Sequence, residues 1–207
     1  MTQVLNTLQS VNPFYLKKLL KVRKATLQDV DAVFDVACSV GKSEKVAEQG
    51  FLVDDYMSNP RYYKTKLKRR IKRLKHFYVA EYDRIYGFLM AYEKNEWLAE
   101  NPNWMEEVYW RPDFLSSATD NFILVDKTAV LSQLTGMGIG SLMYESLKTD
   151  LRNEGIKDIF AETIISPQPN FASLQFRKKQ NYNLAGVRYE EYKGKLYTDL
   201  IYHKMVD

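Results

Sequence analysis

Residues Thr128–Leu151 read TAVLSQLTGMGIGSLMYESLKTDL. The run opens apolar and β-branched, passes a glycine-rich turn at Gly136, Met137, Gly138, Ile139 and Gly140, and then spaces Ile139, Leu142, Met143, Leu147 and Leu151 by threes and fours. The first part predicts a strand and the last a helix with one apolar face. A glycine turn between strand and helix can aim bare backbone N–H groups at an anion. The first N–H groups of a helix have no internal acceptor, and the helix dipole favours negative charge beside them. Glycine adds access to positive φ and lets a ligand approach the main chain closely. A phosphate-bearing ligand is the expectation for this turn. The alternative is a tight turn that holds nothing.

Gly136-x-Gly138-x-Gly140 has some likeness to a dinucleotide site, and Glu162 lies at about the right distance to hold a ribose. The spacing is nevertheless GxGxG rather than GxGxxG, and no train of strand–helix–strand units follows. Gln133-Leu134-Thr135-Gly136-Met137-Gly138 instead fits Q/R-x-x-G-x-G/A, the acetyl-CoA signature of the GNAT superfamily of N-acetyltransferases. By this motif the chain resembles that superfamily. The resemblance implies a mixed α/β fold, with a largely antiparallel central sheet, one splayed parallel strand pair and flanking helices. It also implies acetyl-CoA as co-substrate.

Composition agrees with a soluble globular protein. The chain has 207 residues, 45% hydrophobic and 27% charged, which suits one acetyltransferase domain over 1–207 with residues 1–20 as an N-terminal extension. Cys38 is the only cysteine, so no intrachain disulfide can form and a reducing cytoplasm is the expected setting. It lies in an amphipathic helix pattern and reads as packing rather than as a nucleophile. No apolar run is long enough for a membrane span, and the first 20 residues lack a signal-peptide core. A net charge of +4 does not by itself imply nucleic acid.

In chain order, Leu20–Ala25 predicts a first strand. Thr26 then reads as an N-cap with Asp29 three residues on, ahead of a helix marked by Val30, Val33, Phe34 and Ala37. Lys64–Lys75 carries eight Lys or Arg in twelve residues, around a stripe of Tyr63, Leu67, Ile71 and Leu74. The basic residues are expected outside, as a solvated helix face in preference to an RNA or acidic-partner site. Residues 76–92 predict a hairpin turned at Asp83-Arg84. Residues 93–121 then make an insertion between the third and fourth strands that holds all three tryptophans, Trp97, Trp104 and Trp110. An acceptor-binding lid and a satellite apolar cluster are equal readings of it. Asn121–Leu131 feeds the glycine turn, Gly155 closes the helix after it, and Asp158–Ile165 is a strand apolar on both faces except at Glu162. Residues 170–182, NFASLQFRKKQNY, match the superfamily's second motif at Asn170, Ser173, Phe176, Lys179 and Tyr182. Arg177 stands where that motif usually has tyrosine, and Asn181 where it has glycine. A terminal hairpin turns at Lys193-Gly194-Lys195. The resemblance covers roughly residues 20–205.

Acetyl transfer to an amine makes three demands. The pyrophosphate must be held, which the N–H groups of residues 136–141 can do. The resemblance assigns this cofactor end to Thr128, Ala129, Val130, Gln133, Thr135, Gly136, Met137, Gly138, Ile139, Gly140, Ser141, Asn170, Arg177 and Lys179. The thioester carbonyl must be polarised, and the backbone N–H of Val130 is the candidate. A proton must leave the amine, because an alkyl ammonium of pKa near 10.4 does not attack. Glu162, in an apolar strand between Phe160 and Ile164, is the expected base, since desolvation raises a carboxyl pKa. A structural glutamate paired with Arg or Lys is the alternative, and Asp126 the reserve base. Arginine is a poor proton donor, so the acid is left open, with Tyr182 a fill-in. His76 and His203 lack partners at ligand spacing, so no metal is expected. The acceptor is an amine on a small molecule or a peptide, and a homodimer stays open. The rival reading is a catalytically weak acyl-CoA-binding protein that recruits RNA or an acidic partner through its basic helix.

Overall fold

The computed structural model describes residues 18–206. The N-terminal extension, residues 1–20, therefore lies almost wholly outside the described residues. Among the described residues eight strands form one sheet: β1 (Lys21–Lys24), β2 (His76–Glu81), β3 (Ile85–Glu93), β4 (Val108–Trp110), β5 (Phe122–Val130), β6 (Asp158–Ser166), β7 (Asn183–Tyr192) and β8 (Lys195–Met205). Their order across the sheet is β1-β2-β3-β5-β6-β8-β7-β4, and every neighbouring pair is antiparallel except β5–β6. The helices are α1 (Val30–Val40), α2 (Pro60–Arg73), α3 (Lys94–Glu100), α4 (Trp104–Glu107), α5 (Ile139–Glu154) and α6 (Phe171–Lys179).

Two apolar layers cover the sheet. On one face, Val33, Phe34 and Ala37 of α1 and Leu67 and Ile71 of α2 pack over Phe77, Phe88 and Phe160. On the other, Met143, Leu147 and Leu151 of α5 pack over Leu89, Ile123 and Ile159. The α5 stripe is the one spaced by threes and fours in the sequence. The Thr26–Asp29 box also forms: the Thr26 N–H donates to Asp29 Oδ2 at 2.7 Å, although the first turn is 3₁₀ and α1 begins only at Val30. Asn181 takes φ of 56°, the left-handed conformation that its position opposite a family glycine suggested.

The parallel pair is short. Phe122–Val125 face Asp158–Ala161, and pairing then stops while β5 continues along β3 to Val130 and β6 along β8 to Ser166. The two strands thus splay, and a cleft opens between them.

The insertion differs most from expectation. It carries α3, α4 and a strand, β4, which extends the sheet by pairing with β7. That pairing needs Gly186, where a Cβ would come within 2.8 Å of Tyr109 O. Trp104 is fully buried, with ring centroids 5.6 Å from Phe122 and 5.9 Å from Phe160. The tryptophans therefore belong to the main core on the α1 face and not to a satellite cluster. The basic helix is corrected as well. Arg70 is buried rather than solvated, because Glu100 and Asp126 lie 3.4 and 3.9 Å from its guanidinium.

Candidate active site

A cleft of about 790 Å³ runs from the glycine turn to the insertion. Twelve of the residues expected at the cofactor line it: Thr128, Ala129, Val130, Thr135, Gly136, Gly138, Ile139, Gly140, Ser141, Asn170, Arg177 and Lys179. Glu162 lines it too, at the first position beyond the parallel pairing. Gln133 and Met137 do not. Gln133 is exposed on its 3₁₀ turn, and Met137 packs beneath against the α5 layer.

Local chemistry explains the turn. Gly136 and Gly138 have φ of 86° and 82°, values strained for any side chain. The helical ladder of α5 starts with the Leu142 N–H on Gly138 O at 3.2 Å, so the N–H groups of Ile139, Gly140 and Ser141 have no helical acceptor. Gly140 serves packing, since a Cβ there would sit 3.3 Å from the Phe176 ring. On β5 the Leu131 N–H donates to Tyr86 O of β3 at 2.9 Å. Successive groups along a strand point to opposite edges, so the Val130 and Thr128 N–H groups face the splay. Thr128 Oγ1 is buried without a hydrogen-bond partner on the same cleft wall. The wall thus offers an extended, amide-bearing ligand an open strand edge.

Some expected residues are already engaged by the fold. Asn170 caps α6 through Ser173 N at 3.2 Å and donates from Nδ2 to Phe51 O at 3.0 Å. Ser141 Oγ accepts from Gln180 Nε2 at 2.9 Å. Arg177 is buried and donates to Tyr144 OH at 2.5 Å and Thr163 Oγ1 at 3.4 Å, with no carboxylate ion pair among the described residues. Lys179 is exposed at the rim. Tyr182 is buried away from the cleft lining, against Tyr144 and Tyr202, which removes it as a stand-in acid.

Glu162 has the most unusual environment in the cleft. Burial pushes its carboxyl up to about 7, against the opposing pull of Arg188 and of the Trp104 N–H. Trp104 Nε1 donates to Oε1 at 2.6 Å, while Arg188 stands off at 3.4 Å because its guanidinium also binds Glu107 at 2.7 Å and Glu190 at 3.0 Å. Shared in this way, Arg188 does not return the carboxyl to ordinary acidity. Asp126 behaves oppositely. Although burial works against it, Lys127 at 2.8 Å and Arg70 hold it below the ordinary carboxylate range, which makes it a poor proton acceptor. Asp199 on β8 has its carboxyl raised to about 8 by burial and by Glu162. Burial also pushes the Cys38 thiol up, so it is not a ready thiolate. Sequence reasoning missed Trp104, Arg188 and Asp199 as neighbours of Glu162. The three tryptophans in one insertion were a signal that it belonged to the core, but nothing local marked which carboxyl Trp104 meets.

A parallel pair that splays over a glycine turn and a helix N-terminus, with a buried carboxyl raised toward neutrality across the gap, is the architecture of an acyl-group transferase. Residues 47–182 match the model of the acetyltransferase (GNAT) family, and the chain belongs to that family. A search of curated proteins found no match. Among solved structures, the chain is similar to the PaiA N-acetyltransferase of Thermoplasma acidophilum in complex with coenzyme A, with 17% identity, TM-score 0.59, and 90% of this chain and 98% of that one covered. YncA of Salmonella typhimurium, solved with its cofactor acetyl-CoA, gives 13% identity, TM-score 0.59 and coverage of 91% and 95%. A ribosomal-protein-alanine N-acetyltransferase from Brucella melitensis gives 17%, 0.59, and 89% and 99%. At these identities the likeness carries the fold. Among the described residues no helix is long and apolar enough to cross a membrane.

Proposed function

We propose that this acetyltransferase moves the acetyl group of acetyl-CoA directly to a primary amine in a ternary complex, with Glu162 as general base. The observation that carries the reading is a carboxyl raised to about 7 in the same cleft as the glycine turn and the open β5 edge. The N–H groups of residues 139–141 bind the pyrophosphate, Lys179 adds charge at the rim, and the pantetheine arm pairs with Thr128–Val130. Glu162, directly or through water, takes a proton from the acceptor ammonium. The neutral nitrogen attacks the thioester carbonyl, whose oxygen gains charge beside the Val130 N–H. The C–N bond forms, the C–S bond breaks, and the coenzyme leaves as thiolate. Arg177 does not supply the proton that thiolate takes up; water does, and the guanidinium offers a counter-charge.

The far end of the cleft, with Trp97 and Glu100 of α3 and Lys66 and Arg70 of α2, receives the acceptor. That both α2 cations turn inward favours the enzyme over a protein that docks RNA through the same helix. The lone, half-buried Cys38 suits a reducing cytoplasm. The experiment is a melting curve with and without ligand. Acetyl-CoA at a hundredfold excess over its Kd should stabilise the fold by about 2.7 kcal/mol, and NADH should not. Equal stabilisation by NADH would favour the dinucleotide reading instead.

A further inference from the structure

His76 opens β2 at the end of the sheet remote from the glycine turn: its neighbour Glu93 pairs with Ile123 at the start of β5, whereas Gly87 pairs with Val130 beside the turn. The His76 ring is completely buried. Its Nδ1 lies 3.1 Å from Tyr78 OH. That hydroxyl has already committed its hydrogen to Asp150 Oδ2 at 2.7 Å, and it accepts from Lys24 Nζ at 2.7 Å. It can therefore only accept from the ring, so Nδ1 carries the hydrogen and Nε2 presents a bare lone pair.

That lone pair has no hydrogen-bond partner and no access to water. It faces two carboxylates, Glu154 Oε2 at 3.2 Å and Glu93 Oε1 at 3.9 Å. Three electron-pair donors from β2, β3 and α5 thus converge, their ligand atoms all within 4.8 Å of one another. Lys75 supplies a nearby positive charge, 2.9 Å from Glu154 and 3.8 Å from Glu93, but it reaches the carboxylates from a half-exposed position. We propose that His76, Glu93 and Glu154 bind a divalent transition-metal cation, with zinc the best match.

Zinc takes a histidine nitrogen and carboxylate oxygens at about 2.0–2.2 Å, so neighbouring ligand atoms of a tetrahedron stand about 3.3 Å apart. The Nε2–Glu154 separation already has that length, and Glu93, 3.9 Å from Nε2, would have to turn from its capping position on α3 to complete the set. The fourth position is left for water. The hydrogen bond from Nδ1 through Tyr78 to Asp150 is the outer support that fixes a ligating imidazole in one tautomer. Calcium and magnesium, which ask for six or more oxygens, fit this set poorly. The sequence expectation of no metal rested on local spacing, and residues 76, 93 and 154 have none.

The test uses the full chain, stripped with EDTA and titrated with Zn²⁺ or Co²⁺. The expected result is one metal per chain, visible absorption bands of low-coordinate Co²⁺, and a higher melting temperature with Zn²⁺. Glu93→Gln and Glu154→Gln, both partly exposed and safer than any His76 variant, should each weaken binding by roughly tenfold or more. Lys75→Ala, which removes a competing cation, should tighten it. No bound metal in wild type and in Lys75→Ala would overturn the site and leave Lys75 as its only cation. So would bound metal whose affinity Glu93→Gln and Glu154→Gln leave unchanged.

Discussion

The Glu162 carboxyl sits between opposing effects. Burial favours its neutral form, while the Trp104 N–H and the shared Arg188 favour the charged one; burial prevails, and the group titrates near 7. Glu162→Gln should keep shape and acetyl-CoA binding but slow transfer by roughly two to four powers of ten. Wild-type activity should rise with pH through about 7, because only the ionised carboxylate accepts a proton, and that limb should vanish in the variant. Stability follows the same shift. The folded pKa is raised from 4.5, so the carboxyl costs nothing below that pH, and the cost of ionising it builds between 4.5 and about 7. A gap of that size is worth on the order of 3 kcal/mol. Melting curves should therefore find Glu162→Gln equal to wild type below about pH 4 and more stable above pH 8. A variant less stable at every pH would mark Glu162 as an ion-pair partner of Arg188. The glutamate was legible in the sequence because it is the one acid inside the apolar run that follows Asp158 in its strand. Its neighbours were not, since Trp104 and Arg188 lie 58 and 26 residues away along the chain.

At the scale of elements, the turn between β5 and α5 and the insertion carry the site from opposite sides. Gly138 holds φ of 82°, and a β-branched side chain there meets both strain and the space assigned to the phosphate in the proposed function. Gly138→Val should abolish acetyl-CoA binding, read by calorimetry, while the domain stays folded. Unchanged affinity would make the loop only a turn. In the insertion, Trp104→Phe keeps a ring in the core but removes the donor to Glu162. The ionised carboxylate then loses support, so the activity limb should move to higher pH. An unmoved limb would mean that Trp104 only packs. The turn could be read in advance because glycine and helical spacing are local signals. Strand β4 could not: three residues, Val108, Tyr109 and Trp110, give too short a pattern, and the pairing depends on Gly186 far downstream.

Over the whole molecule, the largely antiparallel sheet and its single parallel pair were legible from two motifs in the right order, at residues 133–138 and 170–182. Alternation and helical spacing placed seven of the eight strands close to their observed bounds. The α2 helix was misjudged in part, because a run of eight cations gives no sign that Arg70 is drawn inward by Glu100 and Asp126. Acceptor identity is not written in the motifs, since the end of the cleft proposed to take the acceptor is lined from the insertion and from α2. Incubation of the full chain with acetyl-CoA labelled in the acetyl group, across a panel of peptide, lysine-like, polyamine and small-molecule amines, tests the central claim most directly. The account predicts coenzyme thiol release that requires the amine, with label on the acceptor nitrogen and none on the protein. Tight acetyl-CoA binding with no amine-dependent thiol release, or label retained on the chain, would contradict it.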